Sequence, residues 1–447
     1  MASAAEQLAA NFSFANLAKA DDLKRRLWFT LGALIVYRLG TYVPIPGIDP
    51  VILRDIFSEQ RSGILGLFDL FSGGALGRMT IFALNILPYI SASIIMQLMT
   101  AISPQLEAIK KEGEQGRKKI NQYARYLTVI LASVQGYMIA VGLEGITSSA
   151  GSAVIDPGLF FRATTTITVV GGTMFLMWLG EQVTQRGVGN GISLIIFAGI
   201  VANLPAALAA TLELGRTGAL STILIIVLMA MSVGVIMFIV YVERAQRKLL
   251  IQYPKRQVGQ RVYEGDRSYL PLKINTSGVI PPIFASALLL MPLTVAQLAG
   301  PGSPEWLRAI SSQLGRGQSL YLIFYVSMIV FFSFFYTAIV FNPEETADNL
   351  KKNGGFIPGI KPGQATARYL DFILTRLTCV GAIYLSMVCI LPEILISHYS
   401  VPFYFGGTSL LIVVSVTMDT VAQIQSHLIA HQYEGLIKRS KLGKRRK

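Results

Sequence analysis

The stretch MTIFALNILPYISASIIMQLMTAI, from Met79 to Ile102, carries no charged side chain. A membrane-spanning helix needs about 20 consecutive apolar residues, so this run is long enough to cross a bilayer. The whole chain has the same character, since 52% of its 447 residues are hydrophobic and 14% are charged. An average soluble domain carries about 25% charged residues and could not hide this much apolar surface. The sequence therefore predicts an integral membrane protein.

Nine further runs predict additional spans, which makes ten in all. In chain order the ten runs are residues 27–43, 79–102, 126–143, 163–180, 191–212, 219–242, 274–300, 319–341, 377–392 and 409–424. Two of them contain one charge each, Arg38 in the first and Asp419 in the tenth. The predicted fold class is an all-α membrane protein with ten transmembrane helices.

The distribution of basic residues predicts the orientation. Ten spans place both termini on one side, and the segments on that side hold 31 of the 39 Lys and Arg residues. Positive residues concentrate in cytoplasmic loops, so both termini are predicted in the cytosol. The net charge of +14 then belongs to a cytosolic face rather than to a nucleic-acid-binding domain. Residues 1–20 lack the apolar core of a cleavable signal peptide, and the first span is expected to serve in targeting.

A short apolar segment lies between the first two spans, in RSGILGLFDLFSGGALGR from Arg61 to Arg78. Its apolar part, Ile64 to Phe71, would rise only about 12 Å as a helix and cannot span. For a lone segment of this kind an amphipathic helix on the outer membrane surface is favoured. The alternative is a re-entrant half-helix, for which Gly73 and Gly74 provide a permissive backbone.

Two predicted spans are unusually polar. The second contains Asn85, Pro88, Tyr89, Ser91, Ser93 and Gln97, and the seventh contains Asn275, Thr276, Ser277, Pro281 and Pro282. Hydrogen bonding between helices is the slightly favoured explanation. The alternative is that both helices line a shared path. Arg38 and Asp419 are interpreted as a structural pair or as groups near a membrane surface, which weighs against an ion-coupled solute pump.

Residues with catalytic or metal-binding patterns are scarce. No phosphate-binding G-x-x-x-x-G-K-[ST] loop and no H-E-x-x-H motif occurs in the sequence. His427 and His431 have a metal-compatible spacing without a third ligand nearby, and they are interpreted as solvated surface residues. Cys379 and Cys389 are interpreted as packing residues. No catalytic residue, metal or cofactor is expected.

Two long cytosolic loops, residues 243–273 and 342–376, exceed a simple turn. The first carries eight basic and three acidic residues. It could lie on anionic lipid head groups, or it could dock a large partner such as ribosomal RNA. Tyr253, Tyr263 and Tyr269, punctuated by Gly and Pro, predict an ordered hairpin, and docking is favoured.

Eight motifs resemble the SecY family, the channel subunits of bacterial protein-conducting translocons. They are YRLGTYVPIPGID (37–49), LFSGGAL (70–76), PYISASII (88–95), KKEGEQGRKKI (110–120), GNGIS (189–193), KRQVGQRVY (255–263), ETADNLKKNGGFIPGI (345–360) and VPFYFGGTSLLIVV (401–414). The resemblance extends from about residue 20 to residue 437.

The resemblance implies two pseudo-symmetric five-helix halves that face each other like a clamshell. The implied parts are a cytosolic tail 1–26, an N-terminal half 27–218, a C-terminal half 219–424 and a basic cytosolic tail 425–447. Segment 61–76 would be the plug, a re-entrant half-helix with Ile64, Leu65, Leu67, Phe68, Phe71, Gly73 and Gly74. The implied pore ring is Ile86, Ile90, Ile192, Ile196, Ile283 and Ile412, and the implied lateral gate includes Ser91, Gln97, Asn275 and Met291.

The function implied by the resemblance is passage of unfolded preproteins across the cytoplasmic membrane and lateral release of transmembrane segments into lipid. The implied partners are SecE-like and SecG-like small subunits, the SecA motor ATPase, the ribosome, preproteins with their signal sequences, and membrane lipid. Docking of SecA or the ribosome would use Lys255, Arg256, Arg261 and Lys361. The last residue departs from the family, because Gly359 to Gly363 reads GIKPG where the family usually has GIRPG. The alternative function is a secondary solute transporter with broken helices, which would need buried ionisable residues at a midplane site.

Overall fold

The computed structural model describes residues 21–50, 52–53, 72–145, 147–148, 151–218, 221–254, 256–258, 261–263, 267–298, 318–399 and 407–444. Helices dominate this part of the chain. They are α1 (Asp21–Gly40), α2 (Leu87–Ile102), α3 (Pro104–Lys111), α4 (Glu114–Gly145), α5 (Leu159–Arg186), α6 (Gly191–Arg216), α7 (Thr222–Arg244), α8 (Ile280–Leu298), α9 (Ser319–Val340), α10 (Pro343–Lys352), α11 (Gln364–Tyr399) and α12 (Gly407–Lys444).

Each of the ten predicted spans overlaps one of these helices, and the all-α membrane fold is confirmed. Within the described residues, seven helices are long and apolar enough to cross a membrane, or eight if the bent pair α2 and α3 counts as one. The bend between α2 and α3 is 100°. Ser103 at the bend is extended, with φ of −92° and ψ of 118°, because the following Pro104 disfavours helical geometry in the residue before it.

The second span begins later than its charge-free run indicates. Residues 81–86 form consecutive turns, and α2 starts only at Leu87. Asn85 has a left-handed φ of 51°, which an α-helix does not accommodate. Phe82 in these turns is buried and stacks with Tyr37 at 6.2 Å and with Phe175 at 5.9 Å between ring centroids. Absence of charge therefore marked a buried segment correctly but placed the helix start too early.

The ninth span is longer than the sequence indicates. The predicted run covers residues 377–392, whereas α11 continues from Gln364 to Tyr399. Arg368, Asp371 and Arg376 interrupt the apolar run without interrupting the helix. Charged residues end a hydropathy segment, but they have good to moderate helix propensity and do not end a helix.

The strands form small antiparallel ribbons. β1 (Thr147–Ser148) pairs with β2 (Gly151–Ser152), β3 (Gln246–Gln252) pairs with β6 (Arg267–Lys273), and β4 (Arg256–Val258) pairs with β5 (Arg261–Tyr263). In the long ribbon Gln246 is opposite Lys273 and Gln252 is opposite Arg267. The hairpin predicted in the loop 243–273 is therefore present in the structure.

The chain divides into two compact units. The first comprises Met1–Tyr89, Leu127–Asn203 and Val416–Lys447, and the second comprises Ile90–Tyr126 and Leu204–Ser415. In the first, a core of buried side chains includes Ile45, Met79, Leu84, Leu143 and Phe161. In the second, α8 packs on α9 through Phe284 and Phe332, whose ring centroids are 5.7 Å apart. The division into five-helix halves after residue 218 stays a prediction.

Candidate functional site

The six isoleucines of the predicted pore ring are not exposed. Ile86, Ile90, Ile196 and Ile412 are buried, and Ile192 and Ile283 are half-buried. By contrast, Ile226 on α7 is 63% exposed, as a lipid-facing isoleucine would be. Ile86, Ile192 and Ile196 belong to the first unit, and Ile90, Ile283 and Ile412 belong to the second. These side chains point into the protein, and their closure into one ring stays a prediction.

Close contact between α5 and α6 fixes the first pair of candidate ring residues. A Cβ atom on Gly191 would overlap the carbonyl oxygen of Gly180, and one on Gly180 would lie 3.0 Å from Ile192 Cγ1. Asn190 Oδ1 accepts a hydrogen bond from Ile192 N at 3.1 Å, which caps the start of α6. Ile192 and Ile196 then lie on one helix face, as their spacing predicts. Ile86 differs, because it precedes α2 while Ile90 lies within it.

A second glycine contact fixes the start of α12, which carries Ile412. A Cβ on Gly407 would overlap the carbonyl oxygen of Val388 and would lie 2.5 Å from Cα of Cys389, both on α11. One residue later, Thr408 Oγ1 and Tyr325 Oη of α9 are hydrogen-bonded at 2.5 Å. Ile412 therefore follows a helix start that packs directly on two neighbouring helices. The motif VPFYFGGTSLLIVV (401–414) contains Gly407, but the hydropathy of the sequence did not predict its contact with α11.

Asn275, a predicted gate residue, is buried and fully engaged in hydrogen bonds. Its Nδ2 donates to Glu243 Oε1 at 2.7 Å and to the Gly278 carbonyl at 3.0 Å. Its Oδ1 accepts from Ser277 Oγ at 3.1 Å. Glu243 is near the end of α7, so Asn275 ties the segment before α8 to the preceding helix. Sequence analysis identified Asn275 but not its partner Glu243.

The remaining predicted gate residues are on α2 and α8. Gln97 donates from Nε2 to Ser93 Oγ at 3.3 Å, and its Oε1 is buried without a hydrogen-bond partner in the described part of the chain. Ser91 is half-buried. Met291 lies on α8, and its side chain is outside the described residues. A buried amide oxygen without a partner costs free energy, and membership of these residues in a lateral gate stays a prediction.

The predicted plug is described only at its end. Ile64, Leu65, Leu67, Phe68 and Phe71 lie outside the described residues. Gly73 and Gly74 have left-handed φ angles of 68° and 83°. A Cβ on Gly73 would lie 3.0 Å from Cα of Gly199 on α6, so glycine is required there both for conformation and for space.

Arg38 binds this glycine turn. Its Nη1 donates to the Gly73 carbonyl oxygen at 2.9 Å. No ion pair joins Arg38 to Asp419 in the residues that the structure describes, so the first interpretation of these two charges, a structural pair, is wrong. The Gly73 carbonyl and the hydroxyls of Thr41 and Tyr42, rather than a carboxylate, receive the hydrogen bonds of the Arg38 guanidinium.

The two long loops that were predicted to be cytosolic are joined to each other, and we call their described residues within 246–273 and 343–376 the docking platform. Gln252 and Phe356 exchange two backbone hydrogen bonds, at 2.9 and 3.0 Å. Beneath them is a small apolar core that comprises Leu249, Leu272, Ile357, Leu370 and Ile373. Sequence analysis treated the loops separately. Leu249 and Ile251 of β3 are buried in the structure, but residues 249–251 are all apolar, so no alternation in the sequence indicated which face of the strand needs a partner.

The predicted docking residues occupy different parts of this platform. Lys361 is exposed in a turn between Gly359 and Gly363, whose φ angles are 84° and 101°, and its carbonyl accepts from Thr366 Oγ1 at 3.0 Å. Arg256 is opposite Tyr263, and Arg261 is opposite Val258, in the short ribbon. Lys255 lies outside the described residues.

The platform also contains a cavity that sequence analysis missed. It has a volume of about 610 Å³ and lies between α10 and the start of α11. Its lining includes the exposed carboxylates of Glu344, Asp348 and Asp371 and the guanidinium of Arg368. The platform thus presents acidic as well as basic groups.

Comparison with known proteins agrees with the all-α membrane fold. The SecY family model matches residues 80–421. A relative in Rickettsia bellii, named protein translocase subunit SecY, is 56% identical over 423 residues, which cover 95% of this chain and 98% of the relative. A solved structure described as "The structure of a protein conducting channel" has a TM-score of 0.64 at 18% identity and covers 91% of this chain and 92% of its own. Another, "Sec61 in the Canine ribosome-channel complex from the endoplasmic reticulum", has a TM-score of 0.61 at 18% identity, with coverage of 91% and 92%.

Proposed function

Since the chain belongs to the SecY family, we propose that it is the pore-forming subunit of a protein-conducting channel. It passes unfolded preproteins across the bacterial cytoplasmic membrane and releases apolar segments sideways into lipid. The observation that carries this proposal is the identity of 56% over nearly the full length of a SecY translocase subunit. The chain performs no chemistry of its own in this proposal, and energy comes from SecA or from the translating ribosome.

The pore is proposed to close at the ring of Ile86, Ile90, Ile192, Ile196, Ile283 and Ile412. Branched apolar side chains exclude water and ions from a narrow constriction, yet they can move apart around a passing polypeptide. The burial of four of these residues supports a position away from lipid. Segment 61–76 is proposed to be the plug that covers the ring from the outer side, with its end held at Gly73.

The lateral gate is proposed to use Ser91, Gln97, Asn275 and Met291. Asn275 is held by Glu243 and the Gly278 carbonyl, while the Gln97 amide oxygen has no partner in the described residues. A polar seam of this kind can separate at a lower cost than a packed apolar interface, because entering peptide groups can replace its hydrogen bonds.

The docking platform is proposed to bind SecA and the ribosome in turn. The exposed basic residues Arg247, Lys248, Arg267 and Lys361 support binding to an acidic or phosphate-rich surface. The Sec61 relative of similar fold is described in a ribosome–channel complex. The platform's position on the basic-rich side supports cytosolic termini. SecE-like and SecG-like subunits are proposed to complete the assembly.

The experiment that tests this function uses proteoliposomes that contain the purified channel. We expect SecA and ATP to drive an unfolded precursor into the vesicles, where it becomes resistant to added protease. Radiolabelled small solutes should accumulate no faster than in vesicles without the protein. Solute uptake without precursor import would instead support the secondary transporter.

A further inference from the structure

Arg38 and Arg78 converge on one backbone oxygen at the end of α1. Arg38 Nη1 donates to the Gly73 carbonyl at 2.9 Å, and Arg78 Nη2 donates to the same oxygen at 3.0 Å. The two donating nitrogens are therefore within about 6 Å of each other, a distance at which like charges repel strongly outside bulk water. Both guanidinium groups also lie over the ring of Tyr42, at 5.2 and 4.2 Å from its centroid.

No carboxylate of the described residues compensates this pair of charges. Other arginines of the same chain do have such partners: Arg162 is 2.6 Å from Glu144, and Arg216 is 2.7 Å from Glu213. Arg78 donates from Nε and Nη2 to the carbonyls of Gly74 and Gly73. Arg38 also donates to the hydroxyls of Thr41 at 3.5 Å and Tyr42 at 3.3 Å. Because a guanidinium has five N–H donors, each arginine still has donors for an additional acceptor. Two adjacent arginines with free donors are suited to bind an anion with several oxygens.

The surroundings of the pair resemble a membrane interface. Leu31, Ile35 and Leu39 form an exposed stripe on α1 at intervals of four residues, and they are 51%, 52% and 66% exposed. The stripe extends over about 12 Å of helix, close to the roughly 15 Å thickness of one hydrocarbon leaflet. Tyr42 follows the stripe and is itself exposed, as aromatic residues at head-group level are.

We propose that Arg38 and Arg78 bind the phosphate of an anionic glycerophospholipid, with Tyr42 at head-group level and an acyl chain along the Leu31–Leu39 stripe. The planar guanidinium groups match phosphate oxygens better than lysine would. By the proposed orientation, this lipid belongs to the leaflet away from the cytosol. The site is separate from the ring residues and from the docking platform, and the backbone oxygen on which the two arginines converge belongs to Gly73, at the end of the predicted plug.

Fluorescence quenching by brominated lipids tests the proposal in the full chain. Tyr42→Trp places a tryptophan next to the two arginines. Subtracting the fluorescence of the protein with Tyr42 intact removes the contribution of the three native tryptophans. The protein is reconstituted with brominated phosphatidylglycerol or brominated phosphatidylcholine. We expect quenching of the introduced tryptophan to show that phosphatidylglycerol binds about fivefold more strongly than phosphatidylcholine, because basic residues attract anionic lipid.

Variants in the Tyr42→Trp background identify the source of the preference. Arg38→Gln with Arg78→Gln should reduce it to equal binding of both lipids, while Arg38→Lys with Arg78→Lys should retain most of it. Arg216→Gln is the matched control, because Arg216 is on the same predicted side and already has a carboxylate partner; it should leave the preference unchanged.

Three results would overturn the proposal. The first is equal quenching by both lipids in the Tyr42→Trp protein, which does not depend on whether the Gln variants fold. The second is a response of the introduced tryptophan to inorganic phosphate in detergent without any lipid preference, which would indicate a site for a free anion. A preference that survives in a folded double Gln variant would likewise exclude these arginines.

Discussion

Lys361 stands in the sequence GIKPG, where the resemblance to the family leads us to expect an arginine. The side chain is exposed in a turn bounded by Gly359 and Gly363 and touches no described carboxylate. Lys361→Glu should reduce SecA-driven precursor import several-fold, because it reverses a charge in a solvent-exposed docking turn. Lys361→Arg should be neutral or mildly activating, because it adds a bidentate donor.

Import kinetics with purified SecA and proteoliposomes measure both effects. Lys352→Glu, an exposed charge reversal at the end of α10 on the same platform, is the matched control. Equal defects in Lys352→Glu and Lys361→Glu would mean that only the net charge of the platform matters. Wild-type import by Lys361→Glu would remove Lys361 from the docking residues.

At the same scale, a single side-chain atom of Asn275, a residue of the proposed lateral gate, contacts Glu243. In the parent chain, Glu243 Oε1 lies 2.7 Å from the Nδ2 donor of Asn275. Asn275→Asp replaces this donor by a carboxylate oxygen that faces the Glu243 carboxylate. We expect a clear loss of thermal stability, because a buried like-charge contact replaces a charge-assisted hydrogen bond. Glu243→Gln keeps an amide oxygen as acceptor and should cost much less. A melting temperature of Asn275→Asp equal to that of the parent would show that this hydrogen bond does not hold α7 to α8.

At the scale of elements, the close contact of α12 with α11 predicts a strong effect of one methyl group. Gly407→Ala would drive a Cβ into the backbone of Val388 and Cys389. Backbone atoms cannot move aside as a side-chain end can, so α12 must shift together with Ile412. We expect lower yield of folded protein and increased ion leakage through the resting channel in planar bilayers.

The matched control is Gly171→Ala on α5, where an added Cβ meets nothing within 4 Å. Alanine there should be neutral or stabilising by up to about 1 kcal/mol, as expected from helix propensity. Equal behaviour of the two variants would show that the α11–α12 contact is not required for a sealed channel.

The elements also show what the sequence could and could not predict. Charge-free runs located every described span, because burial in lipid is a property of composition. They misplaced the start of α2, which follows the left-handed Asn85 and the stacked Phe82, and they shortened α11, whose charged first turns remain helical. Long-range contacts left no periodic signal, so the Asn275–Glu243 hydrogen bond and the joining of Gln252 to Phe356 required the structure.

At the scale of the whole molecule, the account depends on the six isoleucines surrounding a polypeptide in transit. Their motifs identified them by resemblance, since an isoleucine in a membrane span is ordinarily a packing or lipid-facing residue. The burial of four of the six isoleucines supports an inward-facing side chain at each of these four positions, considered separately. The account requires the ring residues of both units to face the same translocating polypeptide.

The most direct measurement is disulfide cross-linking of a translocation-arrested precursor that carries one cysteine. The channel is first freed of Cys379 and Cys389 by substitution with alanine, and single cysteines then replace Ile90, Ile192, Ile283 or Ile412. The account predicts cross-links to the precursor at all four positions, and none at a cysteine replacing the exposed Ile226 of α7. Cross-linking at Ile226 equal to that at the four positions, or cross-links from one unit's residues alone, would contradict a pore ring built by these isoleucines.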